Sequence, residues 1–271
     1  MTAPAARWGD EMAYETIKVT EPEAGITVVT FARPEAVNAL STKMGQELLD
    51  AWTRLRDDTA LRCVILAGEG KHFQAGADLK ERNGMTDAAW AEQHRLFEAM
   101  IRAQLACPVP VIAAVQGAAM GGGTEMSLAC DFTYAAEGAR FGLPEAGLGI
   151  MPGLGGTQLL TRAVGPRRAL EIMTTAAPFT AEKALEWGLV SAVVPADQLM
   201  ETVLGVARQI ASRAPLSVRG LKQVVHGGLD LDLKQAMDLE LSIYNHLFTT
   251  ADRREGVASF NEKRTPAFQG K

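Results

Sequence analysis

An α/β fold with a helical C-terminal portion is what this 271-residue sequence predicts. Three observations predict it. Short runs such as ITVVTF at residues 26–31 and VIAAV at 111–115 are dense in apolar and β-branched residues, which suits buried strands. Segments with apolar residues at helical spacing lie between them, and from Ala196 onward only helical patterning remains. With 47% hydrophobic residues the chain can bury a substantial core, at the upper end of what one domain holds. The expected organisation is an N-terminal arm over residues 1–13, a core over 14–195 and a helical region over 196–271.

Residues 14–19 alternate and 26–31 form a denser run, so two strands open the fold with a hairpin turn at 21–25. Pro34 marks a loop. Ser41 is placed to cap a helix over residues 42–57, where Met44, Leu48, Trp52 and Leu55 recur at helical spacing as a core stripe. Residues 62–67 are another buried strand, and the glycines after it do not make a phosphate loop, because Lys71 is not followed by Ser or Thr. The polar stretch 81–87, with Gly84, reads as a mobile segment lining a pocket, and residues 86–106 as a helix ended by Cys107-Pro108. Later come helices over 155–164 and 169–175, a capped start at Thr180 and a strand over 189–194. Four helices follow, over 198–213, 215–226, 231–247 and 251–263. No internal repeat is evident in the sequence.

Composition excludes several classes of function. A net charge of −5 with no lysine or arginine cluster argues against nucleic acid as a partner. The three cysteines, Cys63, Cys107 and Cys130, are odd in number and set in apolar segments, which indicates a reduced interior and neither a disulfide framework nor a metal site. His72, His94, His226 and His246 are scattered and read as surface or hydrogen-bonded residues. No GxGxxG follows the first strand, which disfavours a NAD enzyme. The N-terminal residues lack a signal peptide's apolar stretch and no run approaches the roughly 20 apolar residues of a membrane span, so a cytoplasmic location is expected.

Chemistry concentrates after the strand at 111–115. Gly121, Gly122 and Gly123 let the backbone approach a ligand closely and precede a short helix whose first N–H groups are unpaired, suited to an oxygen that gains negative charge. Glu125 stands in its first turn, and Glu145 follows twenty residues later in FGLPE. Either glutamate taken singly is an ordinary helix-start residue. Together, in apolar glycine-rich surroundings, they suit a paired general acid and base whose proton affinities are driven apart by desolvation and repulsion.

The segments IAAVQGAAMGGGTE, ACDFTYAAEGARFGLPE and LGIMPGLGGTQLLTR resemble the enoyl-CoA hydratase/isomerase (crotonase) family, and the resemblance extends from about Tyr14 through Arg264. It implies a superhelix of ββα turns with a C-terminal helical region used for trimerisation, and a homo-oligomer that is a trimer or a dimer of trimers. It also implies an acyl-CoA thioester substrate, with coenzyme A entering as part of the substrate and no separate cofactor or metal. The amides of Ala77 and Gly122 resemble the two oxyanion-hole donors, Glu125 and Glu145 the catalytic pair, and Gly153 a backbone donor that helps hold the water or a glutamate. Arg33, Ala36, Val37, Ala75, Ala77, Asp78, Leu79, Phe260 and Lys263 fall at positions that contact coenzyme A.

Retention of both glutamates favours an enoyl-CoA hydratase. The alternatives are a methylglutaconyl-CoA-type hydratase, an enoyl-CoA delta-isomerase and, from another class, a non-catalytic acyl-CoA-binding subunit. Leu143 stands where short-chain hydratases carry glutamine, which removes a potential hydrogen bond beside Glu145. The loop from Gly76 to Arg82 resembles that of hydratases acting on branched dicarboxylic substrates, such as the methylglutaconyl-CoA type, which makes Lys80 and Arg82 candidates to meet a second carboxylate, with solvated surface charge as the preferred account of both.

Overall fold

The structure, a computed structural model, describes residues 14–271. The arm expected over residues 1–13 lies outside the described residues. Two sheets carry the site, and from β4 onward the chain passes back and forth between them. The larger sheet has six strands in the order β1 (Ile17–Glu23), β2 (Ile26–Phe31), β3 (Cys63–Gly68), β4 (Val111–Val115), β6 (Phe132–Ala136) and β9 (Ala192–Val194). The smaller has β5 (Ala118–Met120), β7 (Arg140–Gly142) and β8 (Phe179–Thr180). β4 is followed at once by β5 and β6 by β7, and β8 comes before β9, so from β4 onward each turn of the chain places a strand in each sheet. This is the superhelical winding expected from the resemblance.

Among the described residues only β1–β2 and β7–β8 pair antiparallel, and every other strand pairing is parallel. Parallel strands are covered on both faces, which explains apolar runs without polar alternation. In β3 the side chains of Val64 and Leu66 enter one core cluster while those of Cys63, Ile65 and Ala67 enter a second. β4 divides the same way, with Ala113 on one side and Ile112 and Ala114 on the other.

Helix α1 (Thr42–Asp57) is capped by Ser41, which accepts the amide of Met44, and buries Met44, Leu48, Trp52 and Leu55. α2 (Leu79–Arg82) precedes α3 (Asp87–Leu105), which is capped by Thr86 and packs on α1. α4 (Gly122–Leu128) fills the gap between β5 and β6, and α5 (Gly156–Val164) packs on it. α6 (Pro166–Thr175) and α7 (Ala181–Glu186, capped by Thr180) lead to β9. α8 (Leu199–Ala211) lies on the larger sheet, where Leu199, Val203 and Ala207 close the second core cluster. The core therefore extends beyond residue 195. α9 (Pro215–Gly228), α10 (Leu233–Leu247) and α11 (Ala251–Glu262) complete the chain. α9 is tied down through Asp131, whose carboxylate lies 2.7 Å from Lys222 Nζ and 2.6 Å from His226 Nε2.

Three local expectations change. β1 continues to Glu23, which pairs with Ile26, so the hairpin turn shrinks to Ala24-Gly25. Within the polar stretch after Asp78, four residues form α2 because the Asp78 side chain accepts the amides of Lys80 and Glu81. The strand expected over 189–194 is only three residues long, since pairing with β6 begins at Ala192. No helix among the described residues is long and apolar enough to cross a membrane.

Candidate active site

The site is a cleft of about 680 Å³ between α3, the start of α4 and the loop that follows Glu145. Two backbone segments meet at its floor. Leu40 pairs with Ala77, and Gln74 with Ala119, as isolated bridges. In the first bridge Leu40 donates to Gly76 O (2.8 Å) and accepts from Asp78 N (2.9 Å), so the N–H of Ala77 is directed to the other side. The second bridge sets β5 beside residue 74 and brings the beginning of α4 against Gly76. A methyl group on Gly76 would stand 3.4 Å from Gly122 N, and one on Gly122 4.0 Å from Ala77 N. Gly122 opens α4, so its amide has no acceptor one turn back. Ala77 and Gly122 both line the cleft, and neither amide has a protein acceptor among the described residues. They can receive one oxygen together.

Gln74 keeps this floor in place, a role that sequence reasoning missed. Its Oε1 accepts the amide of Gly76 at 2.6 Å, and it is fully buried.

Glu125 and Glu145 enter the same cleft. Glu125 is 2% exposed, and its Oε1 accepts the amides of Leu154 (2.7 Å) and Gly156 (2.8 Å). Burial, with the charge of Glu145 acting in the same direction, pushes its pKa up to about 7 against the pull of these donors. The Gly153 amide adds a weaker interaction in the same arc. Glu145 starts a 3₁₀ turn, Glu145–Leu148; burial raises its pKa as well, and its Oε2 is enclosed without a hydrogen-bond partner. A methyl group on Gly121 would stand 3.0 Å from Glu145 Oε1, so only glycine leaves that carboxyl its place.

A pH dependence of stability follows from Glu125. A carboxyl with pKa near 7 when folded and near 4.5 when unfolded binds more protons in the folded state between those values, so stability falls as pH rises through that window. Glu125→Gln, whose side-chain oxygen can still accept both amides, is expected to flatten this part of the curve and to raise Tm at pH 8 more than at pH 5. Calorimetry at the two pH values checks it, and equal shifts would mean an ordinary folded-state pKa.

The positions implied to hold coenzyme A divide into three groups. Ala75, Ala77 and Leu79 line the cleft. Arg33, Ala36, Val37 and Asp78 adjoin it: Ala75 N donates to Val37 O at 3.2 Å, and Arg33 bridges to Asp78 at 3.1 Å. Phe260, 81% exposed, and Lys263 belong to the end of α11 and do not line the cleft of this chain.

Three further outcomes differ from the sequence reading. Leu143 is fully buried in the core and does not line the cleft. His94 is not merely a surface or hydrogen-bonded residue: it lines the cleft, so close to Gly153 that a methyl group there would meet its Cε1 at 2.7 Å. Arg82 lines the cleft too, stacked 4.2 Å from the Trp90 ring centre, whereas Lys80 is exposed and outside it. The i, i+4, i+7 spacing of Trp90, His94 and Phe97 was the available signal, since it marks one face of α3.

A family model described as enoyl-CoA hydratase/isomerase matches residues 21–271. The chain is 41% identical over 261 residues to a crotonyl-CoA hydratase of Syntrophomonas wolfei, covering 96% of this chain and all of that protein. It is 39% identical over 247 residues to a short-chain-enoyl-CoA hydratase of Clostridium acetobutylicum, covering 91% and 95% of the two chains. The crystal structure of an enoyl-CoA hydratase from Bacillus anthracis superposes with a TM-score of 0.93 at 40% identity, covering 95% of this chain and 100% of that one. Fold, floor geometry and full-length similarity agree, and the chain belongs to the enoyl-CoA hydratase/isomerase family.

Proposed function

We propose that this chain is an enoyl-CoA hydratase, adding water across the C2=C3 bond of a trans-2-enoyl-CoA to give the 3-hydroxyacyl-CoA. The observation that carries the reading is the pair of buried glutamates with raised proton affinity, facing a cleft floored by two free amides. The relatives named as hydratases support it.

In this reading the thioester oxygen sits between the amides of Ala77 and Gly122, which stabilise the enolate as it forms. A water between the glutamates loses a proton to one carboxylate as its oxygen bonds to C3, and the other carboxyl delivers a proton to C2. Glu125, with one oxygen held by two amides, suits the ionised base; Glu145, with an enclosed oxygen lacking a donor, suits the protonated acid. One proton passed from Glu125 to Glu145 restores the starting state. Water addition and proton transfer need neither metal nor redox cofactor. The test is loss of the conjugated enoyl-thioester absorbance of crotonyl-CoA; bound thioesters without turnover on short, long, branched or 3-enoyl chains would leave only a binding role.

The protein is also proposed to be a cytoplasmic homo-oligomer, a trimer or dimer of trimers. Three buried free thiols support the reducing compartment. Exposed Leu221, Val225 and Leu229 on and just after α9, with Leu233, Met237 and Leu241 on α10, repeat at four-residue spacing and support the assembly. Light scattering is expected to give three or six times the 29.0 kDa chain mass, and Leu233→Glu with Met237→Glu to shift it to a smaller species. A monomeric wild type would remove this assembly.

A further inference from the structure

We infer that His94 is a positioning residue of this site: its ring wedges the turn at residues 152–156, so that the amides of the turn stay on the carboxylate of Glu125. The part that Glu125 plays is that of the hydratase reading, on which this rests, and His94 acts only through it.

The turn is gripped by two side chains. Glu125 Oε1 accepts the amides of Leu154 (2.7 Å) and Gly156 (2.8 Å), and that of Gly153 acts on it more weakly. A methyl group on Gly156 would stand 2.9 Å from both Cγ and Oε1 of Glu125, so the carboxyl already touches this backbone. His94 meets the turn from another side. The three atoms nearest to a methyl on Gly153 all belong to its ring, Cε1 at 2.7 Å and both nitrogens at 3.6 Å. Equal distances to the two nitrogens mean that the ring points its Cε1 edge at Gly153. Gly153 does not have a positive φ, so its φ makes no demand for glycine; the ring makes it.

α3 gives the ring a firm base. The helix packs on α1, and Gln93 and Phe97, on either side of His94, are buried. Gln93 also donates to Thr42 Oγ1 of α1 at 2.8 Å. The turn has less support of its own. Ile150 and Met151, just before it, are exposed. Leu154 seats its far half, with Cδ1 3.3 Å from where a methyl on Gly122 would stand, and Gly153 is left to His94. Neither ring nitrogen of His94 has a protein hydrogen-bond partner among the described residues, so the ring supplies bulk at a fixed place.

The consequence is electrostatic. Burial raises the proton affinity of Glu125 and the amides of the turn hold it down. Without the ring, the turn is free to move into the vacated space, those hydrogen bonds lengthen, and the carboxyl keeps its proton to higher pH. The other charged groups here are Glu145, which acts on Glu125, Arg82 in the wall of the cleft, and Glu98, one turn beyond His94 and within its electrostatic reach. A charged imidazole would also lower the proton affinity of Glu125. Glutamine separates the two causes, because it reaches about as far as the ring and does not titrate.

The experiment follows kcat/KM for crotonyl-CoA against pH in wild type, His94→Ala, His94→Gln, Gly153→Ala and the double variant His94→Ala with Gly153→Ala. His94→Ala is expected to move the acid limb up by roughly one unit, the weight of a weakened hydrogen bond to a charge, with a loss at pH 6 that fades by pH 9. His94→Gln is expected to hold the limb near its wild-type position. Gly153→Ala drives a methyl against the ring and lowers kcat/KM; in the His94→Ala background the same methyl fills the vacated space and lowers it less. An unmoved limb in His94→Ala, a limb that moves as far in His94→Gln, or an equal loss from Gly153→Ala in both backgrounds would overturn the assignment while leaving the hydratase intact. If wild type hydrates no enoyl-CoA, the hydratase reading fails and calorimetry decides on His94 alone. The fall in Tm that Glu125 imposes as pH rises is expected to end about one unit higher in His94→Ala than in wild type, and this difference to vanish in the Glu125→Gln background. The same end point with and without the ring would remove the wedge.

Discussion

Glu125→Gln and Glu145→Gln are each expected to lower kcat for crotonyl-CoA hydration by about 10²–10⁴, the usual effect of removing a general acid or base. Glutamine keeps the volume and an acceptor oxygen at both positions, so the amides of Leu154 and Gly156 remain satisfied in Glu125→Gln. Affinity for the saturated analogue butyryl-CoA should change little, because neither carboxyl is needed to hold the thioester. The double variant should be hardly worse than the weaker single one, since both groups act on one water and removing either already disables the unit. Activity within tenfold of wild type in either single variant would take that glutamate out of the chemistry and point to a reaction needing one carboxylate, such as double-bond isomerisation.

Much of this site was legible because its chemistry is local. Glu125 and Glu145 are conspicuous among glycines, and the glycines of the α4 start betray a backbone that must be approached. The strands of the larger sheet were legible because β3 and β4 are buried on both faces, which forces continuous apolar runs. Caps at Ser41 and Thr180 were readable from the same residues that accept the first amides.

The rest depends on contacts between distant segments. β5, β7 and β8 are three, three and two residues long, too short for any alternation to register. The pairing of Gln74 with Ala119 is a single bridge, yet it helps decide where the amides of Ala77 and Gly122 stand. Arg82 shows the difference most clearly. In sequence it is one charge in a polar stretch; only the fold lays it on Trp90, eight positions later, and turns it into the cleft.

Gly76→Ala is expected to lower kcat/KM for crotonyl-CoA by about 10²–10³, the cost of losing one oxyanion donor. Gly76 has φ +89°, where a side chain costs about 1–2 kcal/mol, and the new methyl would stand 2.9 Å from Met120 O. That oxygen belongs to β5 and cannot rotate away. The loop must therefore retreat, and the Ala77 amide, joined directly to Gly76, retreats with it. The strain alone should cost roughly 2–4 °C in Tm per kcal/mol for a chain of this size, so lost activity needs separating from lost stability. Gly138→Ala supplies that separation: Gly138 has φ +76°, nothing lies within 4 Å of a methyl placed there, and it does not line the cleft. It should share the fall in Tm and retain wild-type kcat/KM. Were Gly76→Ala to remain folded and hydrate crotonyl-CoA as fast as Gly138→Ala, the Ala77 amide would not be a donor to the thioester oxygen, and Gly122 would have to act with another partner.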